Sequence, residues 1–245
     1  MPTEGWNLAR LGTRIAIEPP PWDFDAIVVA HAARARRLLD IDTGGGEWLA
    51  SLQKRATHTV ATESWPPNVA VARERLRELA VDVVEAEPVN DNLSQGDDEP
   101  ALPFANDSFD LVTARHAAFV ARDVARLLVP GGRFLTQQVG GDYGDAYEAL
   151  GLERPRSEPR WDLARAKEQL EAAGLECGDG AEGHEITSFS DVGAFVWYLR
   201  QIPWTVEDFS VKRYRTELEQ LHERLARAGL FQVRLPAFWL FATKS

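Results

Sequence analysis

The chain has 245 residues, 44% hydrophobic and 27% charged, with 38 acidic against 27 basic side chains and a net charge of −11. That length and balance suit one large folded domain, or one domain with an insertion, and the acidity argues against a general binder of nucleic acid or anionic membranes. The single cysteine, Cys177, excludes an internal disulfide and a cysteine-built zinc site; no apolar run approaches the roughly 18 residues of a membrane span, and no secretory signal opens the chain, so a cytoplasmic protein is expected.

Residues 1–22 carry Trp6, Trp22 and a Pro19-Pro20-Pro21 stop, and read as an arm outside the core elements. Residues 23–245 then form the domain. Asp23 caps a helix that runs to Ala35. The buried strand Leu38-Leu39-Asp40-Ile41 breaks into Thr43-Gly44-Gly45-Gly46, and Glu47 to Arg55 follows as a helix. The rhythm repeats with a strand over His58 to Glu63, a helix opened by Pro66-Pro67, and a strand over Val81 to Ala86. Phe109 to Ala114 is a fourth strand, followed by a helix through Leu128. Pro130-Gly131-Gly132 then turns the chain into a fifth, Arg133 to Val139. Such alternation predicts an α/β fold: a Rossmann-like, doubly wound sheet of about seven mostly parallel strands with helices on both faces.

Beyond Gly140 the pattern changes. A helix spans Trp161 to Ala173 and stops at Gly174, and two more are expected near 191–201 and 207–228. Residues 190–228 therefore read as a helical lid insertion. Phe231 to Ala242 closes the chain as a strand in which Pro236 suggests a bulge or an edge position. Between Glu85 and Pro100 lie six acids and no base, read as a solvated loop.

A glycine turn between the first strand and first helix of such a unit lets a ligand approach the backbone closely. A phosphate loop is excluded, because Gly46 is followed by Glu47-Trp48. The dinucleotide pattern has Gly44 and Gly46 but Leu49 at its third glycine, which disfavours NAD. A nucleoside without a pyrophosphate remains. Glu63 ends the second strand, 19 residues after Gly44, where an acid can accept bonds from both ribose hydroxyls; the plain alternative is a solvated strand end.

Four segments in register carry a resemblance. These are Leu38 to Gly46, Val60-Ala61-Thr62-Glu63, Leu102-Pro103-Phe104 leading to Phe109-Asp110, and Leu127-Leu128-Val129-Pro130-Gly131-Gly132. Together they make residues 37–140 similar to the class I S-adenosylmethionine-dependent methyltransferases. The resemblance implies S-adenosylmethionine as cofactor, with Asp40, Gly44 and Gly46 at its methionine end and Glu63 on the ribose. It also implies an acid near adenine, for which Glu87 is favoured over Asp97 and Asp98. The sequence departs from the family pattern at Asp42, which stands where the first glycine is usual. Its carboxylate could attract the cofactor's ammonium or repel its carboxylate, by about 1–4 kcal/mol.

For the acceptor, His116 is the candidate general base, since histidine titrates near neutrality. Arg115 beside it could orient an acid, and Gln138 and Tyr143 a polar group. Trp197, Tyr198 and Trp204 could wall an apolar pocket, which Trp6 and Trp22 could help to close. The other histidines are scattered, so no metal is assigned. The expected activity is methyl transfer to a small organic acceptor. The rival is a methyltransferase-like fold with a drifted cofactor site, acting as a binding protein or catalysing a rearrangement.

Overall fold

A computed structural model describes residues 8–96, 98–153, 160–203, 205–206 and 208–245, with side chains described from Leu11 onward. In chain order the elements are β1 (Ile15–Glu18), α1 (Phe24–Ala32), β2 (Arg37–Ile41), α2 (Glu47–Ser51), β3 (His58–Glu63), α3 (Pro66–Leu76), β4 (Asp82–Glu85) and β5 (Phe109–Arg115). There follow α4 (Ala121–Leu127), β6 (Leu128–Val139), α5 (Gly144–Ala149), α6 (Leu163–Ala172), β7 (Leu175–Phe189), α7 (Val192–Gln201), α8 (Arg215–Ala228) and β8 (Phe231–Lys244). The strand order is β1-β7-β8-β6-β5-β2-β3-β4. The chain divides into two compact units: residues 22–139, 159–182 and 237–245 form the larger, and 1–21, 140–158 and 183–236 the smaller. Strands β7 and β8 each contribute to both.

In the larger unit β2, β3, β4, β5 and β6 pair in parallel, and β8 joins β6 antiparallel. Alternation along β2 sorts its side chains between two cores. Leu38 packs with Leu111, Leu135 and the apolar faces of α1, α2 and α3, whereas Leu39 packs with Val112, Phe134, α4 and α6. Both leucines are fully buried, which is why these strands read as continuous apolar runs. The register is pinned at the far edge by Asp110, whose carboxylate accepts from the backbone N–H of Arg36 (3.1 Å) and Arg37 (2.7 Å). The Leu102-Pro103-Phe104 segment is held likewise: Leu102 N–H donates to Asp123 at 2.9 Å, and Arg126 donates to the carbonyls of Leu102 and Phe104. These motif residues build the frame. Its parallel strands deliver all their carboxyl ends to one edge, where ligands of open α/β sheets bind.

Several expectations change in detail. The first 22 residues supply a strand: Ile15 to Glu18 pair antiparallel with Phe189 to Ile186 of β7, within the smaller unit. This strand is the eighth, beyond the seven of the larger unit. Strand β6 begins at Leu128, and its turn Pro130-Gly131-Gly132 is absorbed as a register shift against β5. Pro236 is not on an edge strand, because β8 lies between β7 and β6. It sits one residue before the pairing with β6 starts at Ala237, so its missing N–H interrupts no bond of that ladder. Helix α8 begins at Arg215, later than expected, and α5 was not foreseen.

The smaller unit has its own aromatic core, in which Phe189 meets Phe195 (5.5 Å), Tyr198 (5.2 Å) and Phe231 (6.3 Å). Asp191 caps α7 through Ala194 N–H and pairs with Arg14, which holds its carboxyl down at about 2. No helix among the described residues is long and apolar enough to cross a membrane.

Candidate functional site

The turn after β2 is built from backbone bonds that only a sharply folded chain can make. Thr43 N–H donates to the Thr62 carbonyl (2.8 Å), and Gly46 N–H donates to the Thr43 carbonyl (3.1 Å). Asp42, Gly44 and Gly46 all have positive φ, at 52°, 64° and 77°. Gly46 leads directly into α2, and a Cβ there would stand 3.0 Å from the Leu76 side chain. Glycine serves at that position because both its backbone and its space exclude a side chain. Aspartate tolerates the left-handed region better than most residues, so the turn keeps its form with Asp42 in place.

Asp42 is more than tolerated. Its N–H donates to Thr62 Oγ1 (3.1 Å), while its Oδ1 accepts from Ser64 N–H (3.0 Å) and Ser64 Oγ (2.9 Å). The residue thus staples the glycine turn to the end of β3. One oxygen of its carboxylate is engaged in that staple, and its charge also acts on Glu63.

Two carboxylates line up behind it. Asp40, 1% exposed, accepts from the Thr113 hydroxyl at 2.8 Å through Oδ1, and its Oδ2 has no partner. Burial pushes its pKa up to about 6. Glu63, 3% exposed, accepts from Trp65 N–H at 2.8 Å through Oε1, and its Oε2 also has no partner. Burial, and then the neighbouring Asp42 charge, push it up to about 7. A buried acceptor left unmatched costs about 1–3 kcal/mol. These two oxygens fit a ligand that brings donors.

Beside them opens a small cleft lined by Ile41, Asp42, Thr62, Ser64, Glu87 and Leu102, among others. Glu87 lies on it, exposed, just past β4. Asp98 does not line it, and Asp97 lies outside the described residues. The acidic segment is less free than its charges suggested. Gln95 donates to the Phe119 carbonyl (3.0 Å) and accepts from Ala121 N–H (2.8 Å), and Asn92 accepts from Phe119 N–H (3.1 Å). Two uncharged amides therefore bind the loop to the start of α4, a role that no sequence pattern announces.

At the ends of β5 and β6 stand Arg115, His116, Gln137 and Gln138. Gln138, expected near a polar substrate, is 2% exposed, and its amide donates to the Ala117 carbonyl (3.0 Å) and to Thr136 Oγ1 (2.7 Å). It is bound into the sheet. The adjacent Gln137 instead accepts from Trp22 Nε1–H at 2.7 Å and reaches His116 Nε2 at 3.1 Å. His116 is exposed as a residue and has a positive φ of 57°. Desolvation of its ring and the Arg115 cation push its pKa below the usual imidazole range. The Arg115 guanidinium lies 5.6 Å above the Trp48 ring, whose Nε1–H donates to Asp25. From the sequence Trp22 reads only as a pocket cover; its bond to Gln137, and the place of Trp48 under Arg115, carry no signal in residue spacing.

Tyr143, Trp197 and Tyr198 belong to the smaller unit. Tyr198 is buried against Phe189, whereas Trp197 is half-buried on α7 and Tyr143 precedes α5. Trp6 and Trp204 lie outside the described residues. No group of three or more metal-ligating side chains occurs among the described residues.

Residues 39–136 match the family profile described as a methyltransferase domain. Among curated proteins, the uncharacterized methyltransferase YcgJ of Bacillus subtilis is 32% identical over 116 residues, 44% of this chain and 43% of that protein. A demethylmenaquinone methyltransferase of Thermus thermophilus is 32% identical over 128 residues, covering 46% and 52% of the two chains. The match thus spans about half the length of these relatives. Among solved structures, one from Bacillus halodurans described as a candidate methyltransferase superposes with TM-score 0.59 at 18% identity, over 98% of this chain and 99% of that one. The cyclase SpnF superposes with TM-score 0.51 at 19% identity, over 90% and 79%. The first strand with its glycine turn, the acid ending β3 and the Pro-Gly-Gly turn all fall inside the matched segment or at its edges. Residues 39–136 are thus similar to a methyltransferase domain, and the solved structures share the fold of the chain.

Proposed function

We propose that this protein transfers a methyl group from S-adenosylmethionine to a small organic acceptor. The observation that carries the reading is Glu63, a buried carboxylate at the end of β3 with one oxygen satisfied and the other unmatched. A ribose diol supplies two donors to such a group. Gly44 and Gly46 would let the methionine end lie against the backbone, with Asp40 behind them, and Glu87 on the neighbouring cleft would receive the adenine amino group. Asp42 would act through the turn it staples, rather than by touching the ligand.

Bound S-adenosylmethionine supplies an electrophilic methyl group on a sulfonium. The task left to the chain is to position the acceptor in line with that methyl and to exclude water. Arg115 and His116 stand at the same sheet edge and are the acceptor-side candidates of the larger unit. Gln138 is withdrawn from that role by its burial. Tyr198 is taken up by the aromatic core of the smaller unit.

The test is calorimetric titration with S-adenosylmethionine, S-adenosylhomocysteine and NAD. Heat is expected with both sulfur nucleosides and none with NAD, and Glu63→Ala should weaken the binding about 100-fold. Absence of heat with either sulfur nucleoside overturns the reading. A fold neighbour bears the name of a cyclase, so turnover is followed separately, as S-adenosylhomocysteine released over a panel of acceptors. Binding without release would support the rival, a fold that binds the nucleoside without transferring its methyl.

A further inference from the structure

We infer that Trp22 and Gln137 lock His116 as a neutral imidazole protonated on Nδ1, which makes it a hydrogen-bond donor to the acceptor substrate's oxygen and not a base. The acceptor role rests on the methyl-transfer reading above; the locked tautomer does not.

The chain of reasoning begins with the indole. Trp Nε1–H can only donate, so the atom of Gln137 facing it at 2.7 Å must be the carbonyl oxygen. That fixes the amide orientation and turns the Gln137 NH2 toward His116 Nε2, 3.1 Å away. An amide NH2 has no lone pair to offer. His116 Nε2 must therefore be the acceptor, unprotonated, and the ring proton of the neutral imidazole sits on Nδ1. A doubly protonated ring would set two donors against each other.

The backbone holds the same arrangement. His116 N–H donates to the Gln137 carbonyl at 2.8 Å, so the two residues clamp each other through main chain and side chain together. His116 also adopts a left-handed backbone, with φ 57°. Non-glycine residues keep such angles when the surroundings over-determine them, and they concentrate at functional sites. Gln137 is 5% exposed, so its amide has little freedom to turn over. Desolvation and the adjacent Arg115 cation act in the same direction by disfavouring imidazolium.

The chemical consequence is selective. Nε2, the nitrogen that could have taken a proton, is occupied by Gln137. Nδ1 has no partner among the described residues, His116 is exposed as a residue, and in the proposed scheme this N–H goes to the acceptor. A donor at that point recognises an oxygen that already carries its nucleophilic lone pair, such as a phenolate, an enolate or a carboxylate. Trp22 and Gln137 are positioning residues in this scheme. They act through His116.

Nitrogen-15 NMR of the histidine side chains tests the lock in the full chain without cofactor, using His116→Asn to assign the resonance. The wild type should show a protonated Nδ1 and an unprotonated Nε2 at neutral pH. A protonated Nε2, alone or together with Nδ1, overturns the proposal. Gln137→Glu replaces the donor by a carboxylate and should transfer the proton to Nε2. An unchanged tautomer in a variant that still folds, judged by unaltered amide dispersion, also overturns it. For the donor role, p-nitrophenolate is titrated into protein saturated with S-adenosylhomocysteine. It should shift the Nδ1–H signal, His116→Asn should retain its binding through the Asn NH2, and His116→Phe should lose it at least tenfold. Loss in both variants, or no shift in the wild type, overturns the donor role. Failure of S-adenosylhomocysteine to bind would sink methyl transfer and leave the tautomer result standing.

Discussion

The carboxyl edge of the parallel sheet is finished in two different ways. At β2 and β3 it ends in carboxylates with one oxygen satisfied and one not, namely Asp40 and Glu63. At β5 and β6 it ends in the amides of Gln137 and Gln138, each of which donates and accepts within the chain. Unmatched buried acceptors are expensive, and a ligand with donors relieves them. Matched amides cost little and confer orientation, here of His116. The first half of the edge is prepared for a ligand that completes it, and the second half is complete already and presents one ring. On the proposed reading, the first half would bind the nucleoside and the second would arrange the acceptor.

That contrast can be broken by substitution. Glu63→Ala should have the largest effect, weakening S-adenosylmethionine about 100-fold, since charge-assisted hydrogen bonds are worth about 1.5–3 kcal/mol each; calorimetry reads it directly. Next comes Gly46→Ala, which meets both a φ of 77° and the Leu76 side chain at 3.0 Å. It should cost about 2 kcal/mol in urea unfolding, against about 1 kcal/mol for Gly44→Ala, where a Cβ finds open space. Equal losses would mean that Leu76 yields and only the backbone matters.

The pH dependence follows from Glu63, whose pKa is raised from 4.5 to about 7. A carboxyl raised by folding holds its proton more tightly in the folded chain. Its contribution to unliganded stability is therefore greatest below 4.5 and declines as pH rises toward about 7. Nucleoside binding should run the other way, because on the proposed reading the carboxylate holds the ribose. Affinity should be about tenfold weaker one pH unit below the folded pKa than above it, and a flat profile would remove Glu63 from the ribose.

Trp22→Phe removes one hydrogen bond to Gln137 and should cost about 1 kcal/mol of stability in urea unfolding, with nucleoside affinity unchanged. A fall in that affinity would mean that the two halves of the edge are coupled. Asp42→Asn should be the gentlest. It keeps a side chain suited to positive φ and an oxygen for Ser64, yet removes the charge that raises Glu63. The pH midpoint of nucleoside binding should move down, with little loss of stability. An upward shift would show that the Ser64 staple dominates.

The glycine turn and the acid that ends β3 were legible in the sequence, because both are local features. The glycine turn follows its strand directly, and Glu63 sits at the end of the next strand after a fixed run of residues. Apolar runs alternating with helical segments announced the parallel sheet for the same reason: its central strands, such as β2 and β5, are buried on both faces. The role of Asp42 was not legible. Its identity marked a departure from the family pattern, and only the structure shows its Oδ1 joined to Ser64 beyond the end of β3.

The acceptor side shows the limit more sharply. His116 stood out as a histidine just past a strand, but its protonation is set by a glutamine 21 residues later and a tryptophan 115 residues before that glutamine. Gln137 and Gln138 are neighbours in sequence and were indistinguishable there; alternation along β6 sends one toward His116 and buries the other in the sheet. The sequence alone determined the fold class and the acid that ends β3, because each is encoded within a few residues or a regular period. Which groups stay unmatched, which are paired and where the imidazole proton sits were decided by tertiary structure, since hydrogen bonds join atoms that are close in space and not in sequence.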